Sequence, residues 1–203
     1  MTVTYRVGGG LYVNLTNKCP CACTFCIRQN APGVYGSGSL WLEREPTADE
    51  ACDSIEAGLG DCRELVFCGY GEPTERLDTL LEVAARFKAA HPDIPIRVNT
   101  NGLADLIAGA PTAHRFKGLV DTVSISLNAP TAEEYVRLCR PKFGAAAYPA
   151  LLKFAKEVKD FVKDVVLTVV GTDALTPEKE EACRRIAADC GVPLRVRRFE
   201  PKG

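Results

Sequence analysis

Long apolar runs are missing from this chain. Nothing in its 203 residues approaches the roughly 20 needed for a membrane-spanning helix. The opening Met1-Thr-Val-Thr-Tyr-Arg6 lacks the charged start and apolar stretch of a secretory leader. A cytoplasmic protein is the expectation. Charge excess is missing too: 25 Lys and Arg stand against 26 Asp and Glu, net −1. That balance excludes bulk attraction to nucleic acid or acidic membranes. The one dense basic cluster is Arg195, Arg197 and Arg198. Alternation places Arg195 and Arg197 on one strand face, which reads as a solvated strand end rather than a phosphate site. Histidine is scarce, with two residues, and His91 before Pro92 and His114 in a turn read as surface or capping groups. There is no Ser-His-Asp set, no P-loop and no carboxylate pair suited to hydrolysis. Internal repeats, low-complexity tracts and a composition break are also lacking, so residues 1–203 read as one domain.

Cysteine, by contrast, is abundant, with ten residues. The chain is too long for a disulfide-stapled mini-domain, so free thiols and a metal site are the expectation. Cys52, Cys62, Cys68, Cys139, Cys183 and Cys190 have no tight ligand spacing and read mostly as small buried hydrophobes. Cys183 and Cys190 are seven apart and share a helix face. Cys19, Cys23 and Cys26 are different, because they are spaced C-x3-C-x2-C in a loop. Three thiolates bind three irons of a [4Fe–4S] cube, where an electron-transfer site supplies four. The open iron can take a substrate or cofactor, which implies chemistry. Cys21 is a fourth cysteine within eight residues. If this stretch is extended, alternation turns Cys21 away from Cys19 and Cys23. Two other readings stay open: an iron–sulfur carrier or sensor using all four cysteines, and a zinc-stabilised module, since C-x2-C is also a zinc spacing.

Strand and helix patterns alternate along the chain. Strands are expected at residues 11–15, 64–68, 94–98, 122–127, 165–170 and 194–199. Residues 16–46 form a long loop rich in Gly, Pro and Cys, a length that is uncommon without function. Thr47-Ala-Asp-Glu50 fits a capping box opening a helix to about Leu59. Further helices are expected over 74–90, 131–138, 145–158 and 177–190, with weaker helical turns over 103–117. Near-continuous apolar strands alternating with helices argue for a parallel α/β sheet covered on both faces. The pattern does not choose between a flat doubly wound sheet and an incomplete barrel.

Phe25 directly before the last cysteine completes C-x3-C-x-aromatic-C. Here the chain resembles the radical S-adenosylmethionine (radical SAM) superfamily. The resemblance implies a (β/α)6 partial TIM-like barrel of parallel strands, a single core domain without an auxiliary-cluster extension. It implies a [4Fe–4S] cluster on Cys19, Cys23 and Cys26 whose open iron chelates SAM. Reductive cleavage would then yield methionine and a 5′-deoxyadenosyl radical that abstracts hydrogen from substrate.

Strand ends are where parallel α/β folds collect function, and several here carry matching residues. Cys68-Gly-Tyr-Gly-Glu-Pro73 resembles the family's G-G-E-P motif, with Tyr70 in place of the first glycine. By resemblance, Gly69, Tyr70, Gly71 and Glu72 hold the methionyl amino group, with Glu72 facing a cationic ammonium. The glycines allow close backbone approach to a ligand. Asn101, Ser126 and Asn128 correspond to positions contacting the ribose and methionyl parts, although each residue alone also reads as a helix cap. Residues 169–171 match the adenine site, and Phe25 is expected to flank the adenine. Tyr35 and Trp41 are expected to cover the site. Arg137 reads as a surface residue, and Arg140 as a residue within reach of a carboxylate. The cysteine loop, the Gly-Tyr-Gly-Glu-Pro turn and Ser126-Leu-Asn-Ala-Pro-Thr131 look most similar to the TatD-associated subfamily. That similarity implies a TatD-type hydrolase as a partner and leaves the substrate open among small molecules, peptides and proteins, while the radical SAM resemblance implies flavodoxin or ferredoxin as electron donor.

Overall fold

The computed structural model describes residues 1–172 and 174–198. A seven-stranded sheet runs in chain order. Strand β1 (Thr4–Val7) pairs antiparallel with β2 (Gly10–Val13) through the Gly8-Gly9 turn. From β2 onward the neighbours are all parallel: β3 (Glu64–Phe67), β4 (Ile96–Thr100), β5 (Thr122–Ser126), β6 (Asp164–Gly171) and β7 (Leu194–Arg198). β7 does not pair back with β1, so the sheet stays open. The expected six parallel strands are present, and this is the partial TIM-like barrel. The antiparallel β1 is an addition that the apolar runs did not reveal. Phe199, expected in the last strand, lies outside the described residues.

Helices α1 (Ala48–Gly58), α2 (Leu77–Ala90), α3 (Ala104–Ala108), α4 (Ala132–Cys139), α5 (Ala147–Val158) and α6 (Pro177–Cys190) fill the crossovers. The capping box of α1 forms as expected: Glu50 N–H donates to Thr47 Oγ1, and Thr47 N–H donates to Glu50. Thr131 and Thr176 cap α4 and α6 by accepting from the Glu134 and Lys179 N–H groups. Leu80, Phe87, Leu151, Phe154 and Val158 bury their side chains against Leu65, Phe67, Ile96, Val98, Val123, Ile125 and Leu167. That helix-covered face is the apolar core. Among the described residues no helix is long and apolar enough to cross a membrane.

The opposite sheet face is polar. Parallel partners point to the same side, so the register aligns Tyr12, Val66 and Arg97, then Asn99 with Ser124, then Ser126 with Thr168 and Arg195. This concave face opens at the strand C-termini, where the long loop 16–46 lies.

Candidate functional site

A cavity of about 440 Å³ lies at the C-terminal ends of the strands. That size falls within the ~300–1,000 Å³ range of small-molecule sites. Cys19, Cys21, Cys23 and Cys26 line one wall, and Gly69, Tyr70, Gly71 and Glu72 line another. Asn101, Ser126, Asn128, Phe25 and Tyr35 also face it. Residues some fifty positions apart in sequence therefore meet at one hollow.

Inside the loop, Cys21 forms a lone antiparallel bridge with Pro141. Segment 19–23 is otherwise not a strand, so the alternation expected for an extended chain does not apply. Cys21 is buried, and its thiol interacts with those of both Cys19 and Cys23. The expectation that it turns away is overturned. The separation of Cys21 from the other cysteines now rests on the family pattern alone.

Burial and mutual contact shift these thiols toward the protonated form. Contact with Cys21 and burial push Cys19 up, while contact with Cys139 and burial push Cys23 up. Cys21 is lowered by Cys19 but raised more by Cys23 and burial, reaching about 12. Burial raises Cys26, opposed by the Arg28 backbone N–H and charge. Thiolate binding of iron would release these protons, making assembly pH-dependent.

The turn after β3 is built by close packing. A Cβ on Gly71 would lie 2.2 Å from the Thr16 carbonyl oxygen and 2.6 Å from that of Lys18. One on Gly69 would lie 2.1 Å from Asn14 Oδ1. What comes close to these glycines is the segment after β2 that leads into Cys19. Asn14 is fully buried; it accepts from Tyr70 N–H at 3.3 Å and donates to the Leu40 carbonyl at 2.7 Å. Tyr70 turns its ring under the loop, donating to the Ala31 carbonyl at 2.6 Å and meeting Trp41 edge-on. The bulky residue is thus accommodated away from the glycine turn. Trp41 does not line the cavity, whereas Tyr35 does.

Glu72 is buried and already saturated on one oxygen. Its Oε1 accepts from Thr74 N–H at 3.1 Å, Thr74 Oγ1 at 2.8 Å and Thr100 Oγ1 at 2.6 Å. Its Oε2 accepts from Asn101 N–H at 2.8 Å. Burial raises its carboxyl, and these hydrogen bonds oppose that. Glu72 thus clamps the turn to the end of β4, and only Oε2 keeps acceptor capacity for a further cation.

Asn101 Oδ1 accepts from Leu103 N–H at 3.0 Å in a turn ahead of α3, and its Nδ2 lies 3.8 Å from Cys21 Sγ. Asn128 is not on the extended strand, as its φ is +59°. The left-handed twist still brings its amide to the cavity, where Nδ2 lies 3.6 Å from Cys139 Sγ and Oδ1 is buried without a partner. Phe25 and Val170 sit together on the apolar side of the hollow. Arg137 is exposed beside Glu134, and neither it nor Arg140 reaches the cavity.

Sequence reasoning missed several lining residues: Cys68, Asn99, Tyr135, Cys139 and Arg197. Cys68, read as a small hydrophobe, faces the hollow one residue beyond β3. Burial raises its thiol, while a hydrogen bond from Asn99 and the charges of Arg197 and Arg97 pull it down. Asn99 Oδ1 is buried without a partner. Alternation from Asn101 and from Arg195 carried the signal for Asn99 and Arg197.

The hollow fits a thiolate-bound cluster with an organic cofactor. It offers soft sulfur donors on one wall, unpartnered amide oxygens on another, and an apolar edge.

The sequence matches the Radical SAM superfamily over residues 13–187. The chain belongs to the radical SAM superfamily. Its members are enzymes that use a [4Fe–4S] cluster and SAM. A GTP 3′,8-cyclase of Paenarthrobacter nicotinovorans is 31% identical over 135 residues, covering 64% of this chain and 35% of the relative. A probable RNA methyltransferase of Sorangium cellulosum is 32% identical over 128 residues, covering 55% and 28%. The chain thus spans about a third of the length of these curated relatives. Among solved structures, Streptococcus suis SuiB bound to S-adenosylmethionine superposes with a TM-score of 0.68 at 15% identity, covering 93% of this chain and 40% of that one. A radical SAM methyltransferase from Sphaerobacter thermophilus gives 0.66 at 16%, covering 96% and 68%. At these identities the superpositions establish the fold.

Proposed function

We propose that this radical SAM chain reductively cleaves SAM and removes a hydrogen atom from a substrate still to be identified. One observation carries the reading: the C-x3-C-x2-C loop and the Gly-Tyr-Gly-Glu turn face each other across one cavity. Cys19, Cys23 and Cys26 hold three irons. Gly69, Tyr70 and Gly71 offer backbone groups to the methionyl amine, and Glu72 Oε2 adds negative charge beside it. Asn101, Ser126 and Asn128 hydrogen-bond the ribose and carboxylate, and Asn128 Oδ1 lacks a partner until they do. Phe25 and Val170 flank the adenine and keep water from that side. When bound, the cluster and SAM supply one-electron chemistry ending in hydrogen-atom removal.

A TatD-type hydrolase as partner rests on the resemblance to the TatD-associated subfamily, a flavodoxin or ferredoxin as electron donor on the radical SAM chemistry, and a cytoplasmic setting on the many free cysteines. The cyclase and the probable methyltransferase differ in reaction class. Their likeness therefore supports a shared core chemistry and leaves the substrate open.

Anaerobic reconstitution, reduction and addition of SAM tests the reading. 5′-Deoxyadenosine detected by mass spectrometry, and lost in Cys23→Ala, is the expected result. A reduced, intact cluster that never binds SAM refutes it. That outcome favours the second reading, an iron–sulfur carrier or sensor, for which the contact of Cys21 with Cys19 and Cys23 speaks.

A further inference from the structure

The concave sheet face gathers three arginines beside the cavity. Arg97 on β4 donates to Glu64 Oε1 at 2.7 Å and to Tyr12 OH at 3.3 Å, yet its Nε is buried without a partner. Arg195 on β7 donates to Ser124 Oγ at 3.1 Å. Arg197, two residues on, lines the cavity itself. Among the described residues neither Arg195 nor Arg197 has an ion pair, so Glu64 is the one carboxylate in salt-bridge contact with the three guanidiniums. Desolvation and the charges of Arg97 and Arg197 together lower the basicity of Arg195. Arg195 and Arg197 remain solvent-exposed, so an anion entering from the open side can meet both guanidiniums.

Among the described residues Arg97 alone of the three has a carboxylate partner, and the apolar core lies on the other face of the sheet. Guanidinium forks match the paired oxygens of phosphate and carboxylate groups. Ser124, Ser126 and Thr168 on the same face supply neutral donors nearby.

We propose that Arg195 and Arg197, backed by Arg97, form an oxyanion subsite that holds a phosphate or carboxylate group of a small-molecule substrate at the open side of the barrel. Calling the bound molecule a substrate rests on the radical SAM reading; the anion site itself does not. A group anchored there would place the rest of the molecule over Cys68, Asn99 and the cluster wall.

Titration calorimetry on the anaerobic, cluster-loaded protein tests this, with inorganic diphosphate and succinate as probes and saturating SAM present. At least one probe is expected to bind, more weakly as salt rises. Diphosphate alone assigns a phosphate, and succinate alone a carboxylate. Arg195→Gln and Arg197→Gln should each weaken binding about tenfold or more, the loss of a charge-assisted pair. Arg184→Gln, on the outer surface of α6, should leave it unchanged. If a glutamine variant fails to fold, Arg195→Lys and Arg197→Lys keep the charge without the fork and should weaken diphosphate less severely. Cys23→Ala, which has lost the cluster, should still bind the probe; this separates the subsite from the radical SAM reading. Failure of both probes to bind, equal binding by the arginine variants, or displacement of the probe by SAM would each overturn the proposal.

Discussion

Replacing Gly71 by alanine tests the claim that this turn is shaped by the chain's own backbone. The new Cβ would meet Thr16 O at 2.2 Å, Lys18 O at 2.6 Å and Thr16 C at 2.8 Å, all main-chain atoms. No side chain can swing aside, so backbone must move by roughly 1 Å to restore ordinary contact. Overpacking of this kind costs about 1–3 kcal/mol. Alanine recovers about 0.4–1 kcal/mol through the unfolded chain. A net loss of about 1–2 kcal/mol corresponds to a melting point about 2–8 °C lower for a chain of this size. The displaced Lys18 carbonyl also accepts from Glu72 N–H at 2.8 Å and directly precedes Cys19. Iron and sulfide content after reconstitution should therefore fall together with the melting point. Gly9→Ala is the control, since its Cβ meets nothing within 4 Å. Thermal melting followed by circular dichroism decides the matter: a Gly71→Ala protein as stable as Gly9→Ala would refute the packing argument.

Further outcomes follow from the same structure. Cys21→Ala is expected to keep the cluster and SAM cleavage, whereas Cys23→Ala loses both; equal loss in iron analysis would give Cys21 a ligand's role. Tyr70→Phe removes the hydrogen bond to the Ala31 carbonyl and should cost about 1 kcal/mol, or 2–4 °C in melting. The Glu50 carboxyl is held down near about 2 by Arg44 and the Thr47 amide. Its folded value is depressed, so its contribution is fully present above about 4.5, the ordinary carboxylate value, and fades as pH falls toward 2. Melting curves across that window should show a steeper acid loss in the parent than in Glu50→Gln.

Much of the fold was legible because its signals are periodic. The apolar run at 64–68, the alternation at 122–127 and the 3.6-fold repeat of the Leu80-to-Phe87 helix face are patterns that packing enforces. Hairpin β1–β2 was missed although Gly8-Gly9 between Thr4–Val7 and Gly10–Val13 is a hairpin signal; β1 is short and its polar Thr4 and Arg6 mask its apolar positions. Side-chain direction in loops follows no period. Cys21 therefore defied the alternation argument, bent inward by its bridge to Pro141. Asn128 reached the cavity for a reason the strand pattern could not supply, a left-handed backbone turn. Arg197 was visible as a residue sharing a face with Arg195, but which face turns inward depends on the register of the whole sheet. The purpose of Gly69 and Gly71 was similarly hidden, because the segment they accommodate is some fifty residues away in sequence.

Strand β7 ends the described sheet, with one side of its backbone unpaired. An exposed ladder edge invites a second copy to add a strand, and natural proteins discourage this with charge. Arg195 and Arg197 would bring like charges face to face if two such edges met. The residues we assign to anion binding therefore also guard against self-association. Apolar replacements there should lower solubility and raise light scattering even where the monomer fold is kept.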